Sequence, residues 1–269
     1  MRRMWSPALI VGLVLLGVVL VAAAVPGLLA PYDPLAFDFA HLTAPPSGLH
    51  PFGTDQFGRD ILSRTIHAAR VDLQIAVFCM IFPLLIGGSI GLLVGWQGGW
   101  IDALFGRLVD LVVTFPFLVL VIFFVAVLGP GLVNVYIAVA CVGWVPYAKL
   151  MRAEVMVQKQ ADYVAAGRVL GYAMPRILLR HILPNACRPV LVYAVTDMAL
   201  AILLGSSLGY LGLGAQPPIA EWGVLIADGK NFFTTAPWIA LFPGVAIVLA
   251  GIGFSLTGDG LADLLRVKR

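Results

Sequence analysis

The chain has 269 residues, of which 61% are hydrophobic and 12% charged. A soluble domain carries roughly a quarter charged residues, so this composition excludes an ordinary water-soluble fold and points to a membrane protein. The formal net charge of +3 reads as a topology signal, because its basic residues cluster on one side of the expected membrane spans, and nothing in it indicates a nucleic-acid partner.

A membrane-crossing helix needs about 20 apolar residues. Stretches free of Asp, Glu, Lys and Arg lie at 5–30, 73–101, 111–148, 198–220 and 231–258. The third is too long for one crossing, and the Gly-Pro-Gly at 129–131 divides it, since Pro and Gly together end helices and make a tight turn. Six spans are therefore predicted, near 8–29, 73–96, 108–128, 132–149, 190–212 and 237–257. The first follows "MRR" and contains Ala22 to Ala24, as a cleaved leader would. Its apolar run exceeds the usual leader core of about 7–15 residues and five further spans follow, so a retained anchor over 1–30 is expected. An outer loop over 31–70 and a core over 71–269 follow, the core including a polar segment at 150–188.

The distribution of Lys and Arg sets orientation. Arg2 and Arg3 open the chain, and Arg266, Lys268 and Arg269 close it. Between spans four and five lie Lys149, Arg152, Lys159, Arg168, Arg176, Arg180 and Arg188 against only Glu154 and Asp162. The loops at 31–70 and 214–236 are near neutral. Both termini and the basic segment thus belong on the cytoplasmic side.

Cys79 and Cys141 fall inside spans and Cys187 on the cytoplasmic side, so no disulfide framework is indicated. No phosphate-binding loop of the G-x-x-x-x-G-K-[ST] kind is present, and no clustered Cys/His motif marks a metal enzyme. His41, His50 and His67 share the outer loop at wide, irregular spacing and read as solvated loop histidines, with no metal expected. His181 reads as a packing or hydrogen-bonding residue. Asp110 and Asp197 are the acidic residues inside the spans, and intramembrane charge is a functional hypothesis by default. Asp110 sits at a helix end within reach of Arg107 at i,i+3. Asp197 is placed about two turns inside the fifth span, so structural or interface roles are expected over ion coupling.

The segment Asp162 to Val190 reads as two short amphipathic helices. Asp162 can cap the first, Gly171 ends it as a residue that takes φ > 0, and Pro175 suits the first turn of the second. The second is expected to stop at Leu183, before Pro184, with Ile177, Leu178 and Ile182 on one face and Arg176 and Arg180 on the other. A lipid-surface role explains the charge but neither the Gly break nor the "HILPN" ending; docking onto another protein explains both.

This segment resembles the coupling loop of ABC transporter importer permeases, patterned E-A-A-x-x-x-G followed nine residues later by I-x-L-P. Aligned on Gly171, the first three positions are Ala165, Ala166 and Gly167, and the last four are His181, Ile182, Leu183 and Pro184. "HPFGTDQFGRDILSR" at 50–64, "RLVDLVVTFP" at 107–116, "LGYLGLG" at 208–214, "EWGVLIADGK" at 221–230 and "GFSLTGDGLADLL" near the end are similar to the dipeptide, oligopeptide and nickel branch, in its DppC/OppC-like subunit. The resemblance implies an all-α, type I importer (MetI-like) permease fold in the bacterial inner membrane. It implies a substrate of dipeptides or oligopeptides, with nickel as the alternative; outside the resemblance, an ion-coupled carrier is the more remote reading. It also implies a homologous second permease, two ATPase subunits holding ATP and Mg, and an extracytoplasmic binding protein, with no catalysis in this chain. The coupling contact then falls on Asp162, Ala165, Ala166, Gly167, Gly171, Arg176, Arg180, His181, Leu183 and Pro184. For the binding protein, Asp55, Arg59, Asp60, Glu221 and Trp222 are candidates; alternatively Gly53, Gly58 and Asp60 simply fold the loop, Asp60 as a helix cap.

Four departures from the pattern stand out. Ala165 replaces the usual Glu, which would have supported a capping box with Asp162, and Gly167 replaces the second Ala. Ser255 and Ala262 replace an Asn and an Arg near the end. The glycines at 87, 91 and 95, and those at 205 and 209, recur at helix spacing and allow close packing, either within the subunit or at a moving interface.

Overall fold

The computed structural model describes residues 6–265; Arg2, Arg3, Arg266, Lys268 and Arg269 of the charge argument lie outside them. The described chain is helical, with one isolated antiparallel bridge between Thr54 and Asp60. In order, the helices are α1 (Pro7–Ala24), α2 (Pro26–Leu29), α3 (Ile61–Gln97), α4 (Gly99–Val113), α5 (Phe117–Leu128), α6 (Leu132–Gln158), α7 (Asp162–Val169), α8 (Met174–Ile177), α9 (Leu183–Tyr210), α10 (Trp222–Gly229) and α11 (Trp238–Leu264). A π-helical turn, Leu178–Ile182, joins α8 to α9. Five helical stretches are long and apolar enough to cross a membrane, and the pair α4–α5 makes a sixth if counted as one span.

The third predicted span is the one the structure corrects. Instead of a straight helix over 108–128, α4 and α5 meet at 80° across a break at 114–116. Pro116 has no N–H to give and disfavours helical backbone at Phe115, while Thr114 turns back, its Oγ1 donating to the Asp110 carbonyl at 2.7 Å. The twelve residues of α5 extend roughly 18 Å at 1.5 Å per residue, too short to cross alone. Arg107 and Asp110 form no ion pair; Asp102 on α4 instead pairs with Arg152 of α6, Nη2 to Oδ2 at 2.6 Å. The turn expected at 129–131 is present, with Gly129 and Gly131 at φ 94° and 132°. The loop expected over 31–70 ends early, because Asp60 caps α3 and the helix begins at Ile61.

The helices alternate in direction, and close contacts fix which ends meet. Leu9 lies against Gly260 and Thr196 against Gly258, so the beginning of α1 and the end of α11 lie toward the α7–α8 end of the bundle. At that end Lys159 donates to the Trp96 carbonyl, and the Arg168 guanidinium sits 5.2 Å from the Trp96 ring centroid. At the opposite end the Gly131 N–H reaches the Leu213 carbonyl at 3.1 Å.

The central packing is α3 on α6, backbone against backbone. A methyl added at Gly91 would press on the Ala148 carbonyl and lie 2.9 Å from the Arg152 nitrogen; one at Gly95 would lie 2.8 Å from the Arg152 carbonyl oxygen. Gly87 faces Trp144 and Tyr147 in the same way. The glycine stripe is therefore packing within the subunit, and Gly205 and Gly209 likewise admit Ile75 and Glu221. Gly91→Ala is expected to lower the thermal midpoint of the detergent-solubilised chain, at a cost of about 1–3 kcal/mol from overpacking. Gly88→Ala, one step off the stripe and with only Met151 Cε within reach at 3.9 Å, should leave it unchanged.

Candidate functional site

The polar segment folds as a compact turn projecting from one end of the bundle. α7 starts with Asp162 as its first helical residue and Ala161 as the cap, so Asp162 does not cap; its charge favours the positive helix start instead. That shift puts residue 165 at the fourth position, so a Glu there would not complete a capping box. The end of α7 is a full Schellman closure. The Tyr172 N–H reaches the Gly167 carbonyl and the Gly171 N–H that of Arg168, both at 3.0 Å, with Gly171 at φ 74°. Val164, Gly167, Ile177, Leu178 and Ile182 are buried, joining Met151 and Val155 of α6 and Ala186 and Val190 of α9 in one apolar cluster. A methyl on Gly167 would meet Tyr172 and Ile177 at an ordinary 3.6–3.7 Å, so the Ala of the usual pattern fits.

The expected stop at Leu183 is absent. The helix runs through Pro184 into α9, because the π turn opens the spacing there, with the Leu183 N–H bonding the Leu178 carbonyl. In an α-helix the Pro184 ring would collide with the Arg180 carbonyl; the wider turn makes room. Asn185 Nδ2 closes the gap by donating to the His181 carbonyl at 2.9 Å, and a His181 ring nitrogen lies 3.2 Å from the Arg176 carbonyl oxygen. Outward, the segment presents Ala165, Ala166, Arg176, Arg180 and Pro184. Val169 is 89% and Leu170 67% exposed.

At the other end, the charged residues of the outer loop turn inward. Asp55 is fully buried and its Oδ2 accepts Arg59 Nε at 2.7 Å and Arg64 Nη1 at 2.6 Å. Arg64 also donates to Asp228 of α10 at 3.2 Å, and the Phe57 and Arg59 amides donate to Asp55 Oδ1. Asp60 accepts the Ser63 N–H and hydroxyl, each at 2.7 Å, and lies 2.9 Å from His50 Nδ1. Glu221 caps α10 through the Gly223 and Val224 amides; those bonds oppose the upward push that burial gives its carboxyl. Trp222 is buried, its indole N–H donating to the Thr65 carbonyl at 3.0 Å and its amide to Asp72 at 3.1 Å. Asp55, Asp60, Glu221 and Trp222 therefore tie the loop to α3 and α10, with Arg59 half-buried beside them. These side chains are committed to internal bonds, and Asp60 caps α3. What this face exposes is an aromatic group: Phe37, Phe39 and Phe57, with ring centroids 5.9 Å apart in both the 37–39 and 37–57 pairs.

Sequence reasoning missed Asp72, buried beside Ser206, because it lies one residue outside the apolar run it borders. With α9 beginning at Leu183, Asp197 stands roughly 20 Å from either end. Its Oδ2 accepts the Tyr147 hydroxyl at 2.7 Å. Together with Tyr193, Cys79, Pro146 and Ser207 it lines a largely apolar cavity of about 360 Å³ between α3, α5, α6 and α9. No cation of the described chain pairs with it.

Of the loop histidines, His41 is exposed as expected, whereas His50 is buried. His50 is 5% exposed and packs on the Tyr32 ring at 4.8 Å. His41 Nδ1 lies 2.7 Å from Asp38 Oδ2, a contact that, with the Ala40 amide, holds the Asp38 carboxyl below its ordinary range. His67 stands apart, bonded to the Ser63 carbonyl at 2.9 Å.

The model of the family described as "Binding-protein-dependent transport system inner membrane component" matches residues 87–268. Among curated proteins, the chain is 43% identical over 223 residues to a dipeptide transport system permease protein of Alkalihalophilus pseudofirmus, covering 83% of this chain and 73% of that one. It is 38% identical to a probable D,D-dipeptide transport system permease protein of Escherichia coli, over 98% of this chain and 88% of the relative. It is 39% identical to a glutathione transport system permease protein of Pectobacterium atrosepticum, over 89% and 80%. Asp55→Ala strips Arg59 and Arg64 of a shared buried partner and should destabilise the chain by about 3–5 kcal/mol. Loss of folded protein on size-exclusion chromatography, next to a lipid-facing Leu28→Ala control (Leu28 is 85% exposed), is the check.

Proposed function

Since the chain belongs to the family of binding-protein-dependent transport system inner membrane components, we propose that it is a permease subunit of an ATP-driven importer of dipeptides or oligopeptides. It supplies half of the translocation pathway and couples to a separate ATPase through residues 162–184. The observation that carries this reading is the rigid, apolar-tipped segment α7–α8, packed on α6 and continuous with α9. Force applied to its exposed tip moves a helix that reaches the far end of the bundle. The peptide substrate is supported by the relatives named for dipeptide and D,D-dipeptide transport.

In this reading the α7–α8 end faces the cytoplasm, with both termini, and the opposite end faces the extracytoplasmic binding protein. Phe37, Phe39 and Phe57 supply the exposed apolar anchors that such contacts use. The cavity at Asp197, Tyr147 and Tyr193 belongs to the pathway, closed on its open side by a second, similar permease. Two ATPase subunits hold ATP and Mg; this chain has no phosphate-binding loop and performs no catalysis.

The test is ATP hydrolysis by the assembled complex in lipid with its binding protein. Dipeptides and tripeptides are expected to stimulate it. Stimulation by a nickel chelate alone would overturn the substrate, and the absence of any ATPase partner would overturn the coupling role. Val169→Asp should lower stimulated hydrolysis roughly tenfold, the loss of one contact worth about 1.4 kcal/mol, with the thermal midpoint unchanged because the side chain is exposed. Gly171→Ala, at a positive φ that costs about 1–2 kcal/mol for a side chain, should lower both.

A further inference from the structure

The outer loop brings together Asp38, His41 and His50, with one ligating atom from each lying within 4.8 Å of the others. We propose that these three residues form a binding site for a borderline divalent metal ion of the Zn²⁺ class. Two imidazoles and one carboxylate form a donor set that suits zinc, nickel or copper, and disfavours calcium or magnesium, which take oxygen ligands.

The three residues come from one stretch of the loop, 38–50, and differ in how firmly they are held. His50 is the fixed member. Its Nδ1 faces Asp60 at 2.9 Å, and Asp60 is itself held by the Ser63 amide and hydroxyl at the start of α3. A carboxylate on one ring nitrogen makes that nitrogen the protonated one and leaves the lone pair on Nε2. This carboxylate–histidine arrangement is the one that orients metal-binding imidazoles. Nε2 makes no hydrogen bond among the described residues. Tyr32 packs against the same ring at a 36° tilt, and its hydroxyl donates to the Leu49 carbonyl at 2.9 Å.

His41 and Asp38 are the adjustable members, with side chains 44% and 43% exposed. The His41 backbone is pinned by the Thr54 hydroxyl, which donates to its carbonyl. Ligands of a tetrahedral zinc at about 2.0–2.2 Å stand roughly 3.4 Å from one another. Closing from the present separations needs side-chain movement on the order of 1 Å, within reach of two exposed residues swinging toward a fixed third. The ion would replace the His41–Asp38 contact and leave a fourth position open to water.

The test uses the full-length chain in detergent, purified without a polyhistidine tag and stripped with a chelator. Calorimetric titration with Zn²⁺ is expected to give one equivalent per chain, and Co²⁺ should give the visible absorption of a tetrahedral nitrogen–oxygen site. His41→Ala and Asp38→Ala should each weaken Zn²⁺ binding by at least roughly tenfold, while His67→Ala changes nothing. Because both altered side chains are exposed, their thermal midpoints in chelator should match the parent, which separates ligand loss from misfolding. Absence of stoichiometric uptake, or uptake indifferent to the paired His41→Ala and Asp38→Ala change, overturns the proposal.

Discussion

The direct backbone contact of α3 with α6 is what the rest of the architecture hangs from. Lipid supplies no hydrophobic drive between helices, so their association rests on close packing and polar bonds. Three glycines on one face let two main chains touch. That approach sets α6 so that Tyr147 reaches Asp197 across to α9, Arg152 reaches Asp102 on α4, and Val155 meets the turn carrying Val164. Cavity wall, broken helix and the α7–α8 segment are thus all referred to one seam. A side chain inserted in it would displace each of them together.

The two ends of the bundle solve opposite problems. At the outer end a long loop without regular structure is fixed by buried charge. The pairs from Asp55 to Arg59 and Arg64, and from these to Asp228, bind the loop, α3 and α10 at a depth where every unpaired charge would be costly. At the other end the projecting segment is held by apolar packing and a glycine closure, and it leaves Val169 and Leu170 in the open. One end pairs its buried charges internally; the other leaves apolar side chains exposed.

The charge-free runs and the Gly-Pro-Gly turn made most of the spans legible in the sequence, since the cost of charge in lipid leaves its mark on composition. The bend at 114–116 was not legible, because an apolar run looks the same whether it is straight or folded, and the one signal was Pro116 itself. Gly171 was readable as a helix end because only the left-handed backbone explains it. "HILPN" misled, since a proline reads as a stop unless the turn before it is widened, and hydrogen-bond spacing has no sequence signature. The outer-loop carboxylates misled in another way. Charged residues between spans read as surface, yet Asp55 is buried against the Arg59 and Arg64 guanidinium groups, and Asp60, readable as a cap, is buried as well. The histidines at 41 and 50 show another limit: nine residues apart, their rings come within 5.7 Å because the loop between them doubles back.

The π turn at Leu178–Ile182 amounts to one residue more than an α-helix would hold in the same length. Each residue of an α-helix advances the face by about 100°. A chain one residue shorter in this turn would therefore present α7 and its exposed tip on a different side of α9, with the membrane part of that helix unmoved. The angular setting between the α7–α8 tip and the long helix it joins is thus encoded in length rather than in side-chain chemistry, so two chains alike in every surface residue of the tip would still point it in different directions.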